Sequence, residues 1–307
     1  PQPQAPLTFS AHRTDMSTNP LQTAPPGVDA DTWVNGVPAP PAVGDLWLLS
    51  WDGQGLGLGV IASRHDSFVL VWPVSLPGDP VSPPAVQIAQ TPLGVELHAW
   101  PTRETGVNDA LLHRRLGPLL DPEVMDTTAD AMDDGDSPPL PFAPTPSPDL
   151  AEAAYTYSLQ MVDVWERICF IQWPAPDVAE TIDVDAMRTA GLAPSRVAEL
   201  LGLPVEQAVA IFFGETPVTQ EQARTLEGAV QAAAGSLVSQ AAIPDTVVRK
   251  LIDPRRKDQV LAVGERRALT EAQARDLVAS QFALAARSNA DDDSRLDAVF
   301  TRLLADQ

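Results

Sequence analysis

A single cysteine, Cys169, excludes an internal disulfide framework and fits a reducing compartment. Four histidines at 12, 65, 98 and 113 are scattered without metal-ligand spacing, and one thiol cannot complete a zinc site, so neither metal nor cofactor is expected. No Ser/His/Asp arrangement is legible from spacing either. Cations are scarce: 20 Lys and Arg stand against 41 Asp and Glu, a formal net charge of -21. That balance opposes diffuse adhesion to DNA or to an anionic membrane, so any nucleic-acid contact has to be local. No apolar run approaches the 18 or so residues of a membrane span, and the first segment has neither a basic n-region nor an apolar h-region. The expectation is a cytoplasmic protein with no membrane partner.

What the chain does have falls into successive regions. Residues 1–41 are rich in Pro, Thr, Asp and Ala with little periodicity and are expected to be irregular; those ahead of Met16 are set aside as an extension. From Val43 the pattern turns to short β-like runs, Asp45–Trp51, Leu58–Ser63, Ser67–Pro73, Ala85–Ala89 and Val95–Trp100, each bounded by Gly, Pro or Asp. Such runs at this density predict a small barrel over 42–120, closed by a helix from Asn108 to Leu116. The glycines at 53, 55, 57 and 59 have no helix after them, so they read as a hairpin connection rather than a phosphate cradle. Trp33, Trp47, Trp51, Trp72 and Trp100 read as core and rim packing.

Residues 121–149 carry eight acids, no base and six prolines after Ser137, the composition of a flexible, self-repelling linker. Asp149 and Glu152 then cap a connecting helix over 150–174, stopped at Trp173-Pro174. Tyr155, Leu159, Val162, Trp165 and Cys169 form one stripe on it, and Tyr157, Met161, Val164, Ile168 and Ile171 a second. A helix apolar on two sides lies between neighbours or at a subunit interface, which admits a homodimer, and Cys169 reads as a small buried hydrophobe. The last region, 236–307, reads as further helices, one with a Thr270/Gln273 capping box and one starting at Asp291 to Asp293.

Between these lies 175–235, where Pro194 opens a helix with Val197, Ala198, Leu200 and Leu201 inward and Gly202 supplies a left-handed stop. Pro204 starts a second helix at once, with Val205, Ala208, Val209, Ile211 and Phe212 on its buried face. Gly214 closes it, and Thr219 with Gln222 makes a capping box for a third. Two helices joined by a short Gly-containing turn are the unit of helix-turn-helix DNA binders.

This stretch, with GLAPSRVAELLGLPVEQAVAIFFGETPVTQEQARTLEGA from Gly191 to Ala229, resembles the XRE (Cro/C1-like) helix-turn-helix family. The resemblance implies that Pro204 to Phe213 enters the major groove and reads bases through Glu206, Gln207 and Ala210, with Ser195 and Arg196 contributing from the preceding helix. Residues 43–119 resemble the MazF/PemK family of SH3-like-barrel toxins, many of them endoribonucleases. The matching pieces are GDLWLL (Gly44 to Leu49), LGVIASRHDSFVLVWPVS (Leu58 to Ser75) and TPLGVELHAWPTRETGVNDALLHRRLGPL (Thr91 to Leu119). In that family an Arg before the second strand and a Ser or Thr after the third carry cleavage. Here Gly57 stands at the Arg position, whereas Ser75 keeps the hydroxyl; Arg64 or Arg103 would be the replacement cation.

The expected fold class is therefore α+β and multidomain, an SH3-like barrel followed by an all-α half. Three function classes fit it. The first is a regulatory DNA-binding protein of transcriptional, toxin-antitoxin or defence type, with a non-catalytic barrel. Against it, 180–235 holds Arg188, Arg196 and Arg224 beside eight acids. For it, Arg249, Lys250, Arg255, Arg256 and Lys257, with Arg266 and Arg267, form the one dense basic run, and it contains both lysines. The second class is an adaptor that docks its acidic helices on a protein partner, and the third an endoribonuclease.

Overall fold

The computed structural model describes residues 21–37, 39–214, 216–284 and 291–305. The chain divides into two compact units, one made of residues up to Trp173 with Ile252–Asp258, the other of Pro174–Leu251 with the residues from Gln259 onward.

In the first unit a short helix α1 (Ala30–Asn35) precedes seven antiparallel strands: β1 (Asp45–Trp51), β2 (Gln54–Arg64), β3 (Phe68–Ser75), β4 (Val86–Ile88), β5 (Leu97–Ala99), β6 (Thr105–Asn108) and β7 (Leu112–Pro118). Their order is β4-β5-β3-β2-β1-β7, with β6 also on β3. The β1–β2 connection is a hairpin, as its glycines imply: Asp52 and Gly53 both have positive φ, 50° and 69°, the backbone of a two-residue turn whose twist suits antiparallel strands. Register shifts at Leu49/Ser50 and Ile61/Ser63 mark irregularities of the kind that curl a sheet into a half-barrel.

Period-2 alternation sends Leu46 and Leu48 to one face and Trp47 and Leu49 to the other, and both faces are covered. Trp33 of α1 and Met125 of α2 (Pro122–Asp134) pack on the first face. Met161, Trp165 and Ile168 of α3 (Pro148–Cys169) pack on the second. Gly59 allows that approach: a Cβ there would lie 3.1 Å from Val71 Cβ and 3.4 Å from the Trp165 ring. Arg115 of β7 forks onto buried Asp45 of β1 at 2.6 and 2.7 Å, tying the edge strand down.

Several expectations change here. The helix expected over Asn108–Leu116 is a 3-10 turn, Asp109–Leu111, followed by β7, because pairing with β1 outweighs local propensity. The expected linker 121–149 holds α2, capped by Asp121 at its start and by left-handed Gly135 at its end. Its acids line the solvent side while Met125 and Thr128 are buried, so composition hid an amphipathic helix. The prolines after it run along the sheet edge, where Gln87 N donates to Pro141 O and Ala143 N to Ala85 O. Within 21–41, Leu21, Val28 and Trp33 are core residues; residues 1–20 lie outside the described residues. On α3 the first stripe is largely outside, with Tyr155 and Leu159 exposed, and Cys169 is exposed rather than buried.

The second unit is mixed rather than all-α. Strands β8 (Val178–Ile182) and β9 (Val238–Ala242) pair antiparallel and bracket four helices: α4 (Val184–Thr189), α5 (Pro194–Leu201), α6 (Val205–Phe212) and α7 (Gln220–Val230). Helices α8 (Asp245–Ile252), α9 (Lys257–Arg267), α10 (Glu271–Leu284) and α11 (Asp292–Ala305) follow. Gly202, at φ 64°, ends α5 in the left-handed conformation and lets α6 start three residues on. Val197, Ala198, Ala208, Ile211 and Phe212 join Leu226 and Leu237 in one core. Val205, expected inside, is 60% exposed. The capping boxes at Thr219/Gln222 and Thr270/Gln273 are both formed. No helix among the described residues is long and apolar enough to cross a membrane.

Candidate functional site

Ser75 ends β3 opposite His98 of β5, so antiparallel pairing puts both side chains on one face. Ser75 is buried. Trp100 Nε1 donates to its Oγ at 2.8 Å, and Tyr157 Oη, from α3, stands 2.9 Å from Ser75 Oγ and 2.9 Å from Asp79 Oδ2. The phenol has one proton and the carboxylate only accepts, so Tyr157 donates to Asp79 and Ser75 donates to the phenol oxygen. Burial, then the Asp79 charge, push the phenol above its ordinary pKa and keep it protonated. Burial pulls His98 down, against the opposing charges of Glu96 and Asp79, so its ring is neutral.

The Ser75 hydroxyl is therefore committed at both its proton and an acceptor site. Arg64 does not reach it: Arg64 pairs with Val69, six residues away along β3, or about 20 Å at 3.3 Å per residue. Arg103 is exposed on the turn Pro101–Arg103. Gly57, in the family's arginine position, is a buried strand residue opposite Leu49.

In the second unit, Ser195 and Arg196 lie exposed in the first turn of α5, and Glu206 and Gln207 lie exposed on α6 with Ala210 half-buried. Arg196 is held by Glu199 at 2.6 Å and Arg188 by Asp185 at 3.7 Å. The basic run is split between the units: Arg249 and Lys250 belong to the second, Arg255, Arg256 and Lys257 to the first. Arg249 is exposed, Lys250 Nζ meets Asp293 at 2.8 Å, Arg255 forks onto Asp253, and Arg256 is half-buried.

Lys257 departs most from its expected role as a phosphate contact, being 1% exposed. Its Nζ donates to Ser50 O at 2.9 Å and Ala110 O at 2.7 Å and lies 5.3 Å from the centre of the Trp51 ring. Next to it, His113 Nε2 is 3.1 Å from Asp258 Oδ1, and His113 Nδ1 is 2.9 Å from Ser50 Oγ. Burial lowers the His113 pKa, and the Lys257 and Arg114 charges add to that. A neutral ring that donates from Nε2 accepts at Nδ1, so Ser50 Oγ–H is the donor there. Asp258 is lowered first by its bond from His113. Asp109, beside Ala110, is pushed up to about 6 by burial and by Asp253, with Arg64 opposing.

Ser50, His113 and Asp258 thus form a relay that spacing did not reveal, since its members lie 63 and 145 residues apart. The weak signal for it was a serine inside the apolar run LWLLSW and a histidine following Leu111 and Leu112. Ser50 is 0% and His113 3% exposed, whereas the Asp258 side chain is 69% exposed. Comparison with family models, with curated proteins and with solved structures finds no match to this chain.

Proposed function

We propose that this chain is a regulatory adaptor: its second unit, on a scaffold resembling a helix-turn-helix, docks a protein partner through the cation-free, partly apolar surface of α6. The observation that carries this reading is the outer side of that helix, where Val205 at 60% and Phe213 at 45% exposure flank Glu206 and Gln207 with no cation among them. Affinity for duplex DNA comes largely from Lys and Arg set against phosphates, and the arginines of α4 and α5 are already paired with their own carboxylates. The barrel serves as a non-catalytic module, a reading supported by the engagement of the Ser75 hydroxyl by Tyr157 and Trp100 and by the distance of Arg64 along β3. It is expected to leave single-stranded RNA intact.

A second reading, DNA-binding regulation, is favoured by Arg249, Arg266 and Arg267, which are exposed. Fluorescence anisotropy with labelled duplexes separates the two. The adaptor predicts no binding at about 50 mM salt, and partner capture that is lost on Val205→Glu or Phe213→Glu with the melting temperature unchanged. Salt-sensitive duplex binding that falls with Arg249→Ala would establish the second reading instead.

A further inference from the structure

We propose that the outer edge of β9 is a self-association site, where two copies of this chain pair their β9 strands antiparallel about a two-fold axis through Gln240. The sheet they extend has only two strands, β8 and β9. Asp183 N donates to Leu237 O and Ile243 N to Asp177 O, which fixes where the hydrogen-bonded pairs of the ladder fall. At every second position between them, the pairs Ile182/Val238, Glu180/Gln240 and Val178/Ala242 turn their N–H and C=O groups away from the facing strand.

On β8 this outer row is met by the fold: Glu180 O accepts from Val218 N at 3.0 Å. On β9 it stays open. Among the described residues, no main-chain group partners the outward N–H and C=O of Val238, Gln240 and Ala242, and Gln240 and Ala242 are exposed. An open edge pairs with a further strand unless a charge, a proline or a bulge blocks it. The sequence VSQAA of β9 has neither charge nor proline, and its register runs without a shift.

Charge and symmetry point to a second copy as the occupant. Two chains of net charge -21 repel each other, so they meet where charge is absent. The longest run without Asp, Glu, Lys or Arg is Gly228 to Pro244, and β9 lies within it. The outward positions 238, 240 and 242 are symmetric about Gln240. In the antiparallel pair Gln240 faces Gln240 of the partner copy and Val238 faces Ala242, so every outward N–H of both strands finds a carbonyl. The side chain at the axis suits its own copy as well. Gln240 Nε2 donates to Glu180 Oε1 at 3.0 Å, which leaves a second amide N–H and the amide oxygen for the same group across the axis. The paired strands make one continuous sheet in the order β8-β9-β9-β8.

The test is sedimentation velocity of the full chain over a range of concentrations. Wild type is expected to dimerise reversibly, and more tightly as salt screens the like charges. Gln240→Pro removes an N–H that the β8 ladder does not use, a change that an edge strand tolerates, and is expected to weaken the dimer about 10- to 100-fold. Gln240→Lys and Gln240→Glu are each expected to weaken it too, because like charges then face each other, and an equimolar mixture of the two is expected to recover a dimer. That recovery is specific to a register with position 240 opposite itself. A wild-type chain that stays monomeric, a dimer that the folded variants leave unchanged, no recovery on mixing, or a dimer that weakens as salt rises overturns the proposal. Should Gln240→Pro not fold, the Lys and Glu variants, whose backbone donors are intact, carry the test.

Discussion

In the first unit, buried polar groups find their partners far along the chain: Ser50 and His113 are 63 residues apart, Ser75 and Tyr157 82, Ser50 and Lys257 207. From α4 to α7 in the second unit, most side-chain hydrogen bonds close within a turn, buried Glu227, which accepts from Leu237 N, being an exception. Asp183 caps α4 through Asp185 N and Ala186 N, Arg196 holds Glu199, and Thr219 and Gln222 cap each other. Most of these helical groups are exposed, so water replaces a lost partner at little loss. In the first unit, removing one partner strands another where water does not reach, and that loss is the larger one.

The comparison can be broken or sharpened by four measurements. Trp165→Ala, which removes the indole that seats α3 against Gly59 and Val71, is expected to lower stability by about 3 to 5 kcal/mol in urea unfolding. A loss under about 1 kcal/mol would mean that α3 is not part of the core of the sheet. Tyr157→Phe keeps the ring and leaves the Ser75 proton without its acceptor, for a loss of about 1 to 3 kcal/mol.

Asp109 supplies a pH handle. Its folded pKa of about 6 lies above its ordinary 3.8, so between those values the folded chain holds a proton that the unfolded chain has released. The stability this group contributes is therefore present at low pH and lost as pH rises through about 6. Asp109→Asn is expected to raise the melting temperature at pH 8 and to lose that gain by pH 4, relative to wild type. Taking the difference cancels the opposite trend of His113, whose lowered pKa makes acid destabilising. A gain independent of pH would remove Asp109 from the titration. Smallest of the four, Thr219→Ala opens the α7 capping box for about 1 kcal/mol. If it matched Tyr157→Phe, the contrast between near and distant partners would fail.

The same contrast governs what could be read in the chain. Gly202 after Leu201, and Thr219 three residues ahead of Gln222, are neighbours in sequence and in space, so α5, α6 and α7 were legible. So were β1 and the hairpin at Asp52-Gly53, where alternation and turn chemistry agree. The expected helix Asn108–Leu116 overlaps β7 from Leu112 on, because only β1, about seventy residues upstream, makes that stretch a strand. Helix α2 was missed although Asp121, Pro122 and Gly135 all signal it, because eight acids outweighed the spacing of Met125 and Thr128. The candidate site divides in the same way. The resemblance points to Ser75, whereas Tyr157 and Asp79 beside it, and the inward course of Lys257, depend on chain returns that leave no local trace.

Those returns also impose a timetable. His113 emerges from the ribosome 145 residues ahead of Asp258, which at about 5 to 20 residues per second is roughly 7 to 30 s of synthesis. Throughout that interval the nascent sheet has its strands in hand but not the cation and the carboxylate that its carbonyls and imidazole will bind. The contacts of Ser50 and His113 with Lys257 and Asp258 therefore close only after all the strands they join have been synthesised.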